Sequence, residues 1–352
     1  HSPKLAYLQL AILVIGTLGV VLTYTFNLFE GNFLLGKEGR EFIEQPKWVK
    51  VGIVVAALIF LYNVTMTVLQ GRKTAITNIL LLGLWGLALL FLFAFYNPSN
   101  LSVDKQYWWF IVHLWVEGVW ELIMGAILSY LLIKLTGVDR EVIEKWLYVI
   151  VGFTLLSGIL GTGHHYYYIG TPKYWLWIGG VFSALEPLAF LGMAIYAIIM
   201  YRKGGRQHAN KSALMWTVGC AVMSFVGAGF LGFAHTLPSV NMYTHGTLVT
   251  AMHGHLAFWG AYAMIVLAVI TYAMPIMTGR RLHDSLANVF AYWTSNIGMI
   301  AMTLAFAVAG IAQVYLERRM GLDFLTVQKE IEVHFLGLVL AATLFTVGII
   351  AF

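Results

Sequence analysis

TLVTAMHGHLAFWGAYAMIVLAVITYAM, residues 247–274, contains no Asp, Glu, Lys or Arg. Wound as an α-helix at 1.5 Å per residue, it is long enough to cross the ~30 Å hydrocarbon core of a bilayer. The stretch therefore reads as a membrane span. It also carries two histidines, His253 and His255, one glycine apart, and a segment fit for lipid needs a reason to hold two imidazoles.

Similar apolar runs recur along the whole chain of 352 residues, which is 60% hydrophobic and 11% charged, with a mean hydropathy of +0.80. Ten spans are expected, at roughly 4–26, 51–70, 76–96, 108–134, 146–168, 174–201, 213–235, 247–274, 290–316 and 333–352. The gaps between them are too short for a separate soluble domain. The expected fold is all-α: a polytopic transmembrane helix bundle forming a single catalytic domain over 1–352. A net charge of +5 could serve a nucleic-acid surface, but the Lys and Arg residues are scattered through polar gaps without a basic cluster, so no nucleic-acid partner is expected. Cys220 is the sole cysteine, which excludes a disulfide or a thiolate metal site within the chain. Metal chemistry here has to use His, Asp and Glu.

The gaps after every second span hold Arg72 and Lys73; Lys134, Arg140 and Lys145; Arg202, Lys203, Arg206 and Lys211; and Arg280 and Arg281, with few acids beside them. That side is expected to be cytoplasmic. On the opposite side the positive residues are accompanied by Glu30, Glu38, Glu41 and Glu44, or by Glu317, Asp323, Glu330 and Glu332. The first span begins without a basic lead and does not read as a signal sequence.

His113, the pair His164–His165, and His253 all fall a few residues inside the outer ends of their spans, roughly 5–10 Å below one surface. A polar residue in lipid costs about 2.5–3.5 kcal/mol on insertion scales, and intramembrane ionisable groups usually mark a site. A lone histidine bridging two helices would explain one such residue; a shared layer points to metal or cofactor binding. Successive helical residues turn by about 100°, so His253 and His255 face opposite ways and cannot hold the same ion. Each is expected to serve its own partner, and a flat macrocycle held by one axial imidazole suits a dry slot on either side of the helix. Small residues such as Gly227, Ala228, Gly229 and Gly254 would admit such a ring, although helix packing explains them equally well.

In HLWVEGVWE, His113, Glu117 and Glu121 are spaced to descend one helical face. In GTGHHYYYIG, the adjacent His164 and His165 can converge on one ion only near a helix end, where Gly161 and Gly163 would let the backbone adjust. Three imidazoles with one carboxylate form a mixed nitrogen and oxygen set that favours iron over copper.

These motifs resemble the haem-copper oxidase superfamily. More closely, HLWVEGVWELIMGA, GTGHHYYYIG, FSALEP and THGTLVTAMHGHLAF resemble the catalytic large subunit of cytochrome c-dependent bacterial nitric oxide reductases, over nearly the whole chain from SPKLAY onward. The resemblance implies reduction of two nitric oxide molecules to nitrous oxide and water. It implies His253 as the axial ligand of a high-spin haem b (haem b3) and His255 as one axial ligand of a low-spin haem b. His113, Glu117, His164 and His165 would hold a non-haem iron. Oxidases of the best-known type have a tyrosine four residues after the corresponding histidine, where Glu117 stands here.

Glu186 in SALEP resembles the family's buried carboxylate near the active site, its other reading being a cap on the kink before Pro187. Glu41 matches a position that binds a calcium ion. Protons are expected from the periplasmic side through Asp104, Glu121 and Glu186, and electrons from a membrane-anchored cytochrome c subunit. The implied location is the bacterial inner membrane, active site toward the periplasm. The family has twelve spans, with the second low-spin haem ligand on a helix upstream of this chain, so the chain resembles a member lacking its first two helices. A quinol-fed nitric oxide reductase, a haem-copper oxygen reductase and a metal or proton transporter are the alternative readings.

Overall fold

The computed structural model describes residues 2–26, 41–43, 45, 47–203, 209–280 and 286–352; the side chains of a few helical residues, Glu186 among them, lie outside the description. The loop charges Glu30, Glu38, Glu44, Arg206 and Arg281 also fall outside it.

The described residues are mostly helical, with no strand among them. In chain order the longer helices are α1 Pro3–Thr25, α2 Trp48–Gln70, α3 Ala75–Phe95, α4 Leu101–Thr136 and α5 Arg140–Tyr166; α6 Tyr174–Ser183 and α7 Glu186–Lys203; and α8 Lys211–Thr236, α9 Leu248–Thr278, α10 Leu286–Arg319 and α11 Glu332–Ala351, with short helices Pro238–Thr244 and Phe324–Glu330 in the loops. Nine of the longer ones, all but α6 and α7, are long and apolar enough to cross a membrane. The span expected over 174–201 is instead two helices with a break at Ala184 and Leu185. Pro187, the second residue of α7, explains the break: it has no N–H to give to a preceding turn, and its ring occupies the space of the carbonyl four residues back.

Side chains define the ends of several helices. The Asn100 side chain accepts from the Val103 amide at the start of α4, and Asn210 accepts from Ala213 at the start of α8. Gly279, with φ of 65°, closes α9 in the left-handed conformation that a residue with a Cβ adopts only at a cost.

The chain divides into two units, His1–Ile123 and Met124–Phe352. In the first, α1 lies along α2, α2 along α3, and α3 against the middle of α4. In the second, the core gathers around the fully buried Trp216, whose ring meets Trp259, Tyr292 and Phe352 edge to face. The Trp259 indole donates to Asn296 Oδ1 at 3.0 Å, so a large apolar surface is buried without stranding its polar atom. α10 and α11 meet backbone to backbone: a Cβ at Gly298 would lie 2.5 Å from the Phe345 nitrogen, and one at Gly348 the same distance from the Ser295 nitrogen. The other face of α10 exposes Phe290, Trp293, Ile297, Ile300, Leu304 and Val308. Such a stripe fits hydrocarbon as solvent, where no apolar residue needs hiding.

Wide turns closed by i→i+5 hydrogen bonds interrupt three of the helices, at Trp115–Val119 in α4, Phe225–Leu231 in α8 and Trp259–Ala263 in α9, and a fourth, Tyr315–Arg319, ends α10. Helical periodicity in the sequence does not register them, because the apolar pattern of a lipid-facing helix runs all the way round. The first two lie beside residues singled out above.

Candidate metal centre

The His113–Glu117 and His164–His165 motifs lie at local departures from regular helix. His113 ends the regular first half of α4 and is 1% exposed. Glu117 sits in the wide turn just after it, and its Oε2 stands 3.4 Å from His113 Nδ1. Glu121, buried, begins the next regular segment. The wide turn therefore lies between His113 and Glu121, and the first pair, His113 and Glu117, lies on one face. Aromatic packing stiffens this region, with Trp108 edge-on to Trp115 at 5.5 Å.

At the other sequence motif α5 tightens into a 3-10 turn over Thr162–Tyr166, and this turn carries both His164 and His165, with ring centroids 4.2 Å apart. The expectation that the helix end brings two adjacent histidines together is met. The role of Gly163 differs from the flexibility expected. A Cβ there would stand 2.8 Å from the Gly179 nitrogen, so Gly163 is small because α6 packs directly on the histidine turn.

His164 Nδ1 lies 2.7 Å from Ser183 Oγ, and that hydroxyl faces the Gly161 carbonyl at 3.5 Å. A carbonyl only accepts, so Ser183 donates to Gly161 and accepts the Nδ1–H of His164, which leaves Nε2 as the ligating nitrogen. Sequence reading missed Ser183; its signal was a fully buried hydroxyl in an otherwise apolar run.

In the first unit His113 and Glu117 present an imidazole and a carboxylate side by side, and in the second His164 and His165 present two adjacent imidazoles. Imidazole and carboxylate donors of these kinds fit a divalent cation of the borderline class, whose charge a carboxylate would partly offset.

His253 and His255 belong to α9 and are directed to different neighbours. His253 Nδ1 is 3.0 Å from the Gly227 carbonyl in the wide turn of α8, while the His255 ring lies against Phe306 of α10, centroids 4.6 Å apart and planes tilted by 34°, with its Nδ1 2.8 Å from the Ala251 carbonyl. The opposed directions expected from spacing are observed. Because both partners are carbonyls, both rings carry the proton on Nδ1 and present Nε2, the tautomer an axial ligand needs. Beside His253 a Cβ on Gly232 would stand 3.1 Å from Cε1, and one on Gly227 would stand 2.6 Å from the Leu256 carbonyl oxygen. These glycines thus bring α8 against α9 and leave room at the imidazole. The residues fit single-imidazole haem ligation on each face of α9.

His235, which the sequence places at the flank of an outer loop, is buried. The Thr244 hydroxyl lies 3.0 Å from its Nδ1 and the Thr250 hydroxyl 3.1 Å from its Nε2. It is a histidine held by hydrogen bonds on both ring nitrogens. Glu41 is exposed and paired with Lys105, Nζ to Oε1 at 3.0 Å, and its backbone carbonyl accepts from the Trp108 indole. Glu186 is the first residue of α7, and its side chain lies outside the described residues.

The sequence pattern of the cytochrome c and quinol oxidase polypeptide I family matches residues 1–344. The chain belongs to that family. It is also 50% identical to a nitric oxide reductase subunit of Stutzerimonas stutzeri, over all of this chain and 77% of that protein. Weaker likeness reaches a cytochrome c oxidase subunit 1 homolog of Agrobacterium tumefaciens (strain T37), 27% identical over 51% of this chain and 34% of the relative. Cytochrome c oxidase subunit 1 of Thermostichus vulcanus is 26% identical over 55% and 35%. Family membership and nine apolar helices among the described residues make this a multi-pass membrane protein of haem-copper oxidase type, and its histidines within the helices fit metal binding.

Proposed function

We propose that this chain is the catalytic subunit of a membrane nitric oxide reductase, in which two nitric oxide molecules, two electrons and two protons give nitrous oxide and water. The observation that carries the reading is the Glu117 carboxylate beside the His113 imidazole. A carboxylate at this position makes the donor set harder than an all-imidazole one and selects iron rather than copper. The likeness to the Stutzerimonas stutzeri protein supports the same chemistry.

His113, Glu117, His164 and His165 would hold the non-haem iron through Nε2 or Nδ1 and carboxylate oxygen; His253 would hold the high-spin haem b3, and His255 one face of a low-spin haem b. Bound there, ferrous iron supplies electrons and Lewis acidity to the coupling of the two nitrogen atoms. The protein contributes the rest. Ser183 and Gly227 hold two imidazoles at fixed angles, and the apolar surroundings exclude water while holding both small substrates in one place. The Glu117 carboxylate lowers the cost of collecting positive charge away from water. The two-residue step from His255 to His253 along α9 gives electrons a short crossing.

Asp104 in the first turn of α4, the buried Glu121 and Glu186 would pass protons from the periplasmic side. The electron donor in this reading is a membrane-anchored cytochrome c subunit, and the protein sits in the bacterial inner membrane with the Arg72, Lys73, Lys134 and Arg202 side in the cytoplasm. Glu41 would take up calcium on releasing Lys105.

The test is metal and optical analysis of the purified complex. The wild-type protein is expected to contain non-haem iron and b-type haem in its reduced-minus-oxidised spectrum. Glu117→Ala is expected to keep both haem signals and lose the non-haem iron. Copper in the wild-type protein, or full iron occupancy in the variant, would overturn the assignment.

A further inference from the structure

The wide turn of α4 is gripped at both ends by α3. At one end, Trp115 donates its indole N–H to the Leu87 carbonyl at 3.3 Å and stacks on Phe91, ring centroids 5.9 Å apart and planes at 26°. At the other end, Val119 stands against two glycines. A Cβ on Gly86 would lie 2.7 Å from Val119 Cγ1; one on Gly83 would lie 3.0 Å from the Val119 carbonyl oxygen and 2.8 Å from Ile123 Cγ1. Trp115 and Val119 are the first and last residues of the turn, and the Trp120 amide closes it on the Trp115 carbonyl.

We propose that α3 is the template that keeps this turn wound, so that Gly83, Gly86, Leu87 and Phe91 act as positioning residues for Glu117. A wide turn accommodates one residue more than the α-helix it interrupts, and closing it rotates the helix before it by about 100° against the helix after it. His113 lies before the turn, Glu121 after it, and Glu117 stands in its middle. A turn of this kind loses regular hydrogen-bond register and persists where neighbours over-determine it. Here the neighbours are a carbonyl and a ring that hold Trp115, and two missing side chains that admit Val119. With Val119 displaced, the carboxylate leaves its place beside His113 Nδ1, and the donor set becomes softer by one oxygen. α3 thereby sets which metal the centre retains, although it contributes no ligand. This inference rests on the ligand set proposed above.

Gly86→Ala tests it, because the added methyl strikes the stiff, β-branched Val119. The double variant Gly86→Ala/Val119→Ala removes the obstructing Cγ1 and should restore the fit. In the purified complex, haem per protein reports folding, non-haem iron per haem reports the centre, and chelator titration reports iron affinity. The expected result is unchanged haem with iron affinity about ten-fold lower in Gly86→Ala, the usual scale for an outer-shell disturbance, and recovery in the double variant. Loss of haem and iron together without recovery would make Gly86 a packing residue only and overturn the proposal, as would wild-type iron affinity in Gly86→Ala. Trp115→Phe keeps a ring against Phe91 and deletes the hydrogen bond to Leu87, so it probes the other end: weakened iron binding with intact haem is expected, and no change overturns the role of that end. Absence of non-haem iron from the wild-type protein would instead defeat the ligand assignment, a different outcome from wild-type iron present and insensitive to α3.

Discussion

A histidine becomes a useful metal ligand when something else decides which of its nitrogens is free. His164, His253 and His255 each have Nδ1 committed, to Ser183, Gly227 and Ala251 respectively. Only His255 takes its partner from its own helix, four residues back; the other two depend on residues brought in by the fold. Ser183 is the replaceable partner. Ser183→Ala should leave the haem spectra unchanged and weaken non-haem iron retention by about 10- to 100-fold, measured by titrating the purified protein with a chelator. Unchanged retention would show that the imidazole is oriented by packing alone. His235 shows the converse: with a threonine hydroxyl at each ring nitrogen, it serves the protein rather than an ion, although its sequence context gives no warning of this.

At the scale of elements, close backbone contacts decide what the histidine segments can do. α6 lies so near the 3-10 turn of α5 that a Cβ on Gly179 would overlap the Gly163 carbonyl carbon and the His164 nitrogen. Gly179→Ala must therefore push the turn aside, and its expected outcome is loss of non-haem iron together with a lower thermal midpoint, by the few kcal/mol that overpacking a close contact costs (about 1–3). Metal analysis and differential scanning fluorimetry check both. The short helix Phe324–Glu330 offers a milder case in the loop before α11. Asp323 caps it, its carboxylate accepting from the Thr326 amide and hydroxyl, and these hydrogen bonds hold its pKa below the ordinary carboxylate value. A depressed folded pKa stabilises above the unfolded value and is lost as pH falls through the folded one. Hydrogen exchange at Thr326 should thus lose protection on acidification beyond the intrinsic rate change, and Asp323→Ala should remove that pH dependence.

At the scale of the molecule, the distribution of Lys and Arg predicts orientation in the bilayer. Cys220, the sole cysteine, is buried, so introduced thiols report without background. Lys73 and Lys173 are exposed and lie in gaps expected on opposite sides. With a membrane-impermeant thiol reagent, Lys173→Cys should be labelled from the periplasmic side and Lys73→Cys only in inverted vesicles; the reverse pattern would invert the topology.

The sequence by itself determined the membrane class, nine of its ten helical spans and the different directions of His253 and His255. Each follows from composition or from the fixed 100° step of a helix, which are local properties. Even the break at Pro187 was legible, although the two separate helices it leaves were not. Only the tertiary structure decided the wide turns, the tautomers and the grip of α3 on Trp115 and Val119. Those depend on which backbone meets which, and in a chain whose helices are apolar all round, no periodicity in the residues records where two backbones touch.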